Sequence, residues 1–206
     1  MNIQNYQITT DSGCDLSIEL CKNRGILPYK MPFTMDGVVY TDEMTEDSFR
    51  SFYRMMREGG VATTTQINPN EFLEFWTPLA QAGTPVLHVS LAAAISGTCA
   101  NALAAADMLR QEYPEWECRV VDSANASAGF GLLVLRAADN RDNGYSLDDN
   151  AEALRAIIHN VNSIFTTDDL TALYRGGRVS RVAAAFGTIL NIIPVLHLDY
   201  EGHLEV

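Results

Sequence analysis

Short apolar runs alternate along this chain with longer stretches whose apolar positions recur every three to four residues. The runs at Tyr6–Thr10, Pro85–Val89 and Cys118–Val121 are strand-length and rich in apolar or β-branched residues, as expected of strands buried in a sheet. Helices are predicted between them. One covers Leu16–Arg24 and is closed by Gly25; another starts at Thr45, runs to about Glu58 and is ended by Gly59-Gly60. A third has the clearest start, with Asn68 as N-cap, Pro69 at the first helical position and Glu71 three residues after the cap. Its Phe72, Phe75, Trp76 and Leu79 fall on one face, a core stripe. Further helices are expected over Gly97–Gln111, Ala126–Asp139 and Leu147–Asn160. Leu27–Thr34 and Val38–Thr41 read as two strands around the Asp36-Gly37 turn, a hairpin signal.

The pattern changes near Val161. Ser163–Thr167 is strand-like, Asp168–Tyr174 a short helix, Gly176-Gly177 a break, Ala183–Leu190 helical and Pro194–Asp199 a strand. After a turn at Glu201-Gly202, Leu204-Glu205-Val206 reads as the start of a returning strand. The expected fold class is therefore α/β, with an N-terminal parallel-sheet α/β domain over residues 1–160. The start of an incomplete, C-terminally truncated α+β domain is expected over 161–206.

Composition narrows the function. With 14 Lys and Arg against 26 Asp and Glu, the formal net charge is −12, which argues against a general nucleic-acid or anionic-membrane binder. No apolar run approaches the ~20 residues that cross a bilayer, so stable membrane insertion is not expected. Cys14, Cys21, Cys99 and Cys118 form no C-x-x-C pair and suit neither zinc nor a dense disulfide framework, which points to reduced cysteines and the cytoplasm.

The candidate chemistry is a set of hydroxyl-rich turns at strand ends: Thr10-Asp11-Ser12, Ser96-Gly97-Thr98 after the strand at Leu87–Ser90, and Asp122-Ser123 after Val121. Thr63-Thr64-Thr65-Gln66 is a fourth cluster ahead of the Asn68 cap, with more hydroxyls than a cap needs. Hydroxyls and free helix amides at the carboxyl edge of a sheet suit a small anionic head group. Each cluster also has a plainer reading. Ser96 can be an N-cap, the threonines a β-branched strand end, and the aspartates turn and cap chemistry. Gly176-Gly177-Arg178 presents an arginine from a fixed turn, to an anion, an acidic partner or solvent. No G-x-S-x-G is present, and His88, His159, His197 and His203 do not pair convincingly with a serine. No catalytic residue, metal site or cofactor is assigned.

Together these segments resemble the DegV family of bacterial fatty-acid-binding proteins. Thr10-Asp11-Ser12 with Asp15-Leu16 is similar to the family's D-S-x-x-D-L, and Thr64-Thr65-Gln66-Ile67-Asn68-Pro69-Asn70-Glu71-Phe72 to its T-S-Q-P-S-P-x-E-F. Ser96-Gly97-Thr98 matches S-G-T, and Val121-Asp122-Ser123 matches V-D-S. Leu173–Ser180 is similar to L-x-K-G-G-R-I-S, and Leu190–Leu196 to L-N-I-K-P-I-L. Ile67, Asn68 and Ile193 depart from the family's Pro, Ser and Lys, and the family's C-terminal H-x-G-P-G motif has no counterpart in these residues.

The resemblance implies a long-chain fatty acid ligand, its acyl chain buried and its carboxylate held by Thr64, Thr65 and Ser96. Ser12, Gly97, Thr98, Asp122 and Ser123 complete the ligand-binding set, and Arg178 would meet the head group or a partner. It further implies a non-catalytic subunit that presents the fatty acid to a separate ATP-dependent fatty acid kinase, which makes the acyl phosphate. A hydrolase or phosphotransferase subunit using the same anion site, and a small-acid sensor, are the competing readings.

Overall fold

The computed structural model describes residues 6–167, 170–179 and 193–206. Its strands are β1 (Gln7–Asp11), β2 (Ile26–Tyr29), β3 (Pro32–Met35), β4 (Val38–Thr41), β5 (Ala62–Thr64), β6 (Val86–Ser90), β7 (Cys118–Asp122), β8 (Ile164–Thr166), β9 (Val195–Leu198) and β10 (Leu204–Glu205). The helices are α1 (Ile18–Asn23), α2 (Glu46–Arg57), α3 (Pro69–Gln81), α4 (Thr98–Glu112), α5 (Ser127–Asp142), α6 (Leu147–Ile157) and α7 (Thr171–Arg175).

The central sheet is parallel, in the order β2-β1-β6-β7. Parallel strands need covered faces, and both faces are covered here. On one, Phe130, Leu133 and Val134 of α5 and Leu154 of α6 pack with Ile8, Leu87, Val89 and Val121. On the other, Phe72 and Trp76 of α3 pack with Val86, Cys118, Leu109 and the alanines 102, 105 and 106 of α4. Those alanines let α4 lie close to the sheet without leaving a void. The cap expected of α3 forms fully: Asn68 Oδ1 accepts from Glu71 N (3.1 Å) and Glu71 Oε2 accepts from Asn68 N (2.7 Å).

One expectation is corrected. Leu27–Thr34 is not a single strand, because β2 joins the parallel sheet and β3 belongs to a second, antiparallel sheet ordered β4-β3-β5. Pro28 and Pro32 lack the N–H of an inner strand, so Pro28 sits in the edge strand β2 and Pro32, which opens β3, is a local mark of the break. The break is also fixed from outside: Ser12 Oγ accepts from Met31 N (3.2 Å), and Met31 O accepts from Asp42 N (3.0 Å). The hairpin turn is where Asp36-Gly37 predicted it, with φ of 50° and 84° at the two positions.

A third sheet, antiparallel and ordered β10-β9-β8, lies against the carboxyl edge of the first. Ser163 Oγ donates to Asn125 Oδ1 (2.8 Å), and Gly202, at φ 88°, backs onto Ala92 and Ala124 so closely that a Cβ there would stand 3.0 Å from the Ala92 Cβ. The short helix expected at Asp168–Tyr174 is seen as Thr171–Arg175. The helix expected at Ala183–Leu190 lies outside the described residues. No helix among the described residues is long and apolar enough to cross a membrane.

Candidate functional site

The carboxyl ends of β1, β6 and β7 deliver Asp11, Ser90 and Asp122 to one edge. Both aspartates act as acceptors for loop amides, as turn chemistry predicts. Asp11 is fully buried, with Oδ1 accepting from Gly13 N (2.9 Å) and Oδ2 from Leu91 N (3.4 Å). Burial pushes its pKa up to about 6, against the pull of those two amides. Asp122 Oδ1 accepts from Ala93 N (3.1 Å) and Ala124 N (2.9 Å). The two carboxylates thus brace the 91–95 loop from either side of β6, and that loop carries Ser96.

The segment before α3 is clamped to the start of α4. Ile67 is fully buried; its N–H donates to Thr98 Oγ1 (3.2 Å) and its carbonyl accepts from Asn101 Nδ2 (2.8 Å). Ile67 stands where the resembling pattern has proline, which carries no N–H, and the Thr98 hydroxyl is what satisfies the extra donor. Gln66 lies directly on Gly97: a Cβ at Gly97 would come within 2.1 Å of Gln66 Oε1. Gln66-Ile67 and Gly97-Thr98 therefore meet at one junction, with Thr64 and Thr65 just ahead of it in the chain.

Within that junction the candidates divide. Thr64 and Thr65 are exposed and Ser96 is half-buried. Ser96 does not cap α4, because the N-cap is Gly97 and no side chain caps it; Ser96 Oγ instead meets Thr98 Oγ1 (2.9 Å) and accepts from Thr98 N (3.3 Å). Thr98 is fully buried and its hydroxyl is committed to Ile67 and Ser96. Ser123 is fully buried too, donating to Asn125 O (2.9 Å) and accepting from Asn125 N (3.1 Å). Ser12 is buried against Met31 N. Thr98, Ser123 and Ser12 thus spend their hydroxyls on protein bonds. Asn101, inside α4 and outside every strand-end motif, was not singled out by the sequence.

Arg178 reaches the same junction. Its Nε donates to Ile95 O (3.2 Å), and the guanidinium also donates to Gly176 O. With Ala94, Ile95, His203 and Leu204 it lines a cavity of about 370 Å³ beside Ser96. A smaller cavity of about 110 Å³ continues along the same seam, lined by Ala124, Ile158, Val161 and Leu198. The histidines offer no base to a serine. His88 is fully buried, Nδ1 paired to Thr9 Oγ1 (3.0 Å) between the rings of Phe72 and Trp76, and burial drives its pKa down to about 3. His159 stacks on Tyr200, and His203 pairs with Asp199.

Comparison with known proteins fits this geometry. A family model described as an uncharacterised protein of the DegV family matches residues 5–206. The DegV domain-containing protein YteA of Lactococcus lactis is 36% identical over 202 residues, covering 97% of this chain and 70% of that one. A solved DegV-family protein of Thermus thermophilus, described by its fatty acid binding, superposes with a TM-score of 0.82 at 31% identity over 98% of this chain and 70% of its own. The fold is shared as well, with a TM-score of 0.80 at 22% identity, covering 98% of this chain and 72% of the other, by the Streptococcus pneumoniae fatty acid kinase B3 protein, solved loaded with linoleic acid. With its parallel sheet, its S-G-T turn and a match that runs from residue 5 to residue 206, the chain belongs to the DegV family.

Proposed function

We propose that this protein binds a long-chain fatty acid and presents it to a separate ATP-dependent kinase. The observation that supports the reading is the junction where Gln66 lies on Gly97, at a helix N-terminus with no capping side chain, with half-buried Ser96 at its edge; the exposed Thr64 and Thr65 just before Gln66 are assigned to the head group, as hydrogen-bond donors, on this reading. A carboxylate takes two or three such hydrogen bonds, and the uncapped start of α4 at Gly97 adds favourable partial charge. Thr98, Asn101, Asp122 and Ser123 hold the junction in shape and do not touch the ligand. The acyl chain runs along the seam between the parallel sheet and the third sheet, past Ile95, Ile158, Val161 and Leu198. Each buried methylene contributes roughly 0.8 kcal/mol, so affinity comes from the tail and register from the head group.

The protein has no chemistry of its own in this reading; the hydroxyl–imidazole pair of Thr9 and His88 is fully buried, out of reach of a substrate. Arg178, at the mouth beside Ser96, is placed to meet the carboxylate or the kinase. The presenting role draws support from the fatty acid kinase protein that shares the fold. Four free cysteines suit a cytoplasmic protein, and a division near residue 160 into an α/β domain and a further domain suits a ligand held between the two.

The test is binding of palmitate and oleate to Ser96→Ala and to the double variant Thr64→Ala with Thr65→Ala. Each variant is expected to lose roughly 1–3 kcal/mol of affinity with an unchanged circular dichroism spectrum. Unchanged affinity in both contradicts the site.

A further inference from the structure

A cavity of about 380 Å³ lies between α2, the β3–β4 hairpin and the turn after β1. That is within the range of small-molecule sites. Five of its lining side chains are aromatic, among them Phe33, Tyr40, Phe52 and Tyr53. The rings form a continuous wall. Phe33 stacks on Tyr40 (centroids 5.5 Å, interplanar angle 16°) and meets Phe52 edge-on (5.1 Å, 89°), and Phe52 meets Tyr53 edge-on (5.4 Å, 78°).

The lining also carries two carboxylates, Asp15 and Asp42, and no Lys, Arg or His among the described residues lines the cavity. Neither carboxylate is in an ion pair among the described residues. Each spends one oxygen inside the protein, Asp42 Oδ1 accepting from Met44 N (2.9 Å) and Asp15 Oδ2 accepting from the Ser127 hydroxyl, and the second oxygen has no hydrogen-bond partner among the described residues. Partial burial raises the Asp15 pKa, Ser127 opposes the rise, and the charge of Asp42 adds to it. Two neighbouring carboxylates that share a cavity with a ring wall, and with no cation among its described lining residues, describe a place for a positive charge.

We propose that this cavity binds a small organic cation of the quaternary ammonium class. The methyl groups of such a cation contact the ring faces, which attract it through their quadrupoles, and the carboxylates Asp15 and Asp42 supply its counter-charge. A metal ion would leave the aromatic side unused, and a plain apolar ligand would leave the carboxylates unused. Ser12 and Thr64 line the same cavity, so an occupant there touches the turn after β1 and the strand that leads into the fatty acid junction. The inference stands on this cavity alone and does not rest on the fatty acid reading.

The experiment is a calorimetric titration of the 206-residue protein with choline and, separately, with 3,3-dimethyl-1-butanol, its uncharged carbon isostere. Palmitate binding is measured in parallel. Choline is expected to bind saturably and the isostere at least about tenfold more weakly. Asp42→Asn and the exposed-ring variant Tyr53→Leu are each expected to weaken choline several-fold and leave palmitate binding unchanged. Absence of saturable choline binding, or equal binding of the isostere, overturns the proposal. Loss of palmitate binding by the unmodified protein would instead count against the fatty acid reading alone.

Discussion

Thr98→Val removes one oxygen and almost no volume, and so isolates what the Thr98 hydroxyl does. Thr98 and Ile67 are both fully buried, and Thr98 Oγ1 accepts from Ile67 N at 3.2 Å. Valine leaves that amide hydrogen without a partner and out of reach of water, which costs about 1–3 kcal/mol. It also ends the contact with Ser96 Oγ, a smaller loss because Ser96 is half-buried and can turn to water. Both residues are β-branched, so helix propensity changes little, and the added methyl replaces the hydroxyl in the same space. The expected cost is about 2 kcal/mol, or about 4–8 °C in Tm for a chain of this size. Urea unfolding at pH 7 followed by far-UV circular dichroism measures it. Fatty acid affinity should fall as well, because the Thr64–Gln66 segment is no longer tied to α4. Thr98→Ser, which keeps the oxygen, should retain most of the affinity. A stability change below about 0.5 kcal/mol in Thr98→Val would refute the claim that this hydroxyl holds the junction.

Other perturbations have equally definite outcomes. Gly131→Ala on α5 would place a Cβ 2.4 Å from the Cys14 carbonyl oxygen; overpacking there should cost about 1–3 kcal/mol in denaturant unfolding, and a silent substitution would mean that the turn after β1 moves freely. His88 is held neutral by a pKa near 3, below its unfolded value of 6.5, so its stabilising contribution is present above pH 6.5 and is lost as pH falls toward 3. Asp11 works the other way: its pKa near 6 lies above the unfolded 3.8, so its contribution is present below 3.8 and is lost as pH rises through 6. Between pH 6.5 and 4 the two contributions largely offset each other, and the loss from His88 prevails as pH falls below about 4, so thermal melts should show a shallow acid loss that steepens toward pH 3. Asp11→Asn keeps an acceptor for Gly13 N but turns an Nδ2 donor toward Leu91 N, so it costs that bond; with no titrating carboxyl to offset His88 it should steepen the acid loss, and an unchanged slope between pH 6.5 and 4 would contradict the raised Asp11 pKa.

Legibility varied with how local the signal was. The α3 cap and the Asp36-Gly37 hairpin were legible because residue type alone dictates the backbone there. The switch of sheets between Tyr29 and Pro32 was legible only in part: Pro32 interrupts the run, but the bonds that hold the break come from Ser12 and Asp42, distant in sequence. At the junction, the hydroxyl clusters were legible as a group. Which hydroxyls face out could not be read, since Thr64, Thr98 and Ser123 look alike in sequence and differ only in what is packed over them. Asn101 was invisible because its role is defined by Ile67, more than 30 residues away in chain order.

Native mass spectrometry of the protein as purified from a bacterial host, followed by denaturing release and lipid identification, tests the central claim most directly. The account predicts one fatty acid of roughly 14–18 carbons per chain, lost in Ser96→Ala combined with Thr64→Ala and Thr65→Ala. A protein that is empty as purified, and stays empty after incubation with palmitate and with oleate, would contradict it.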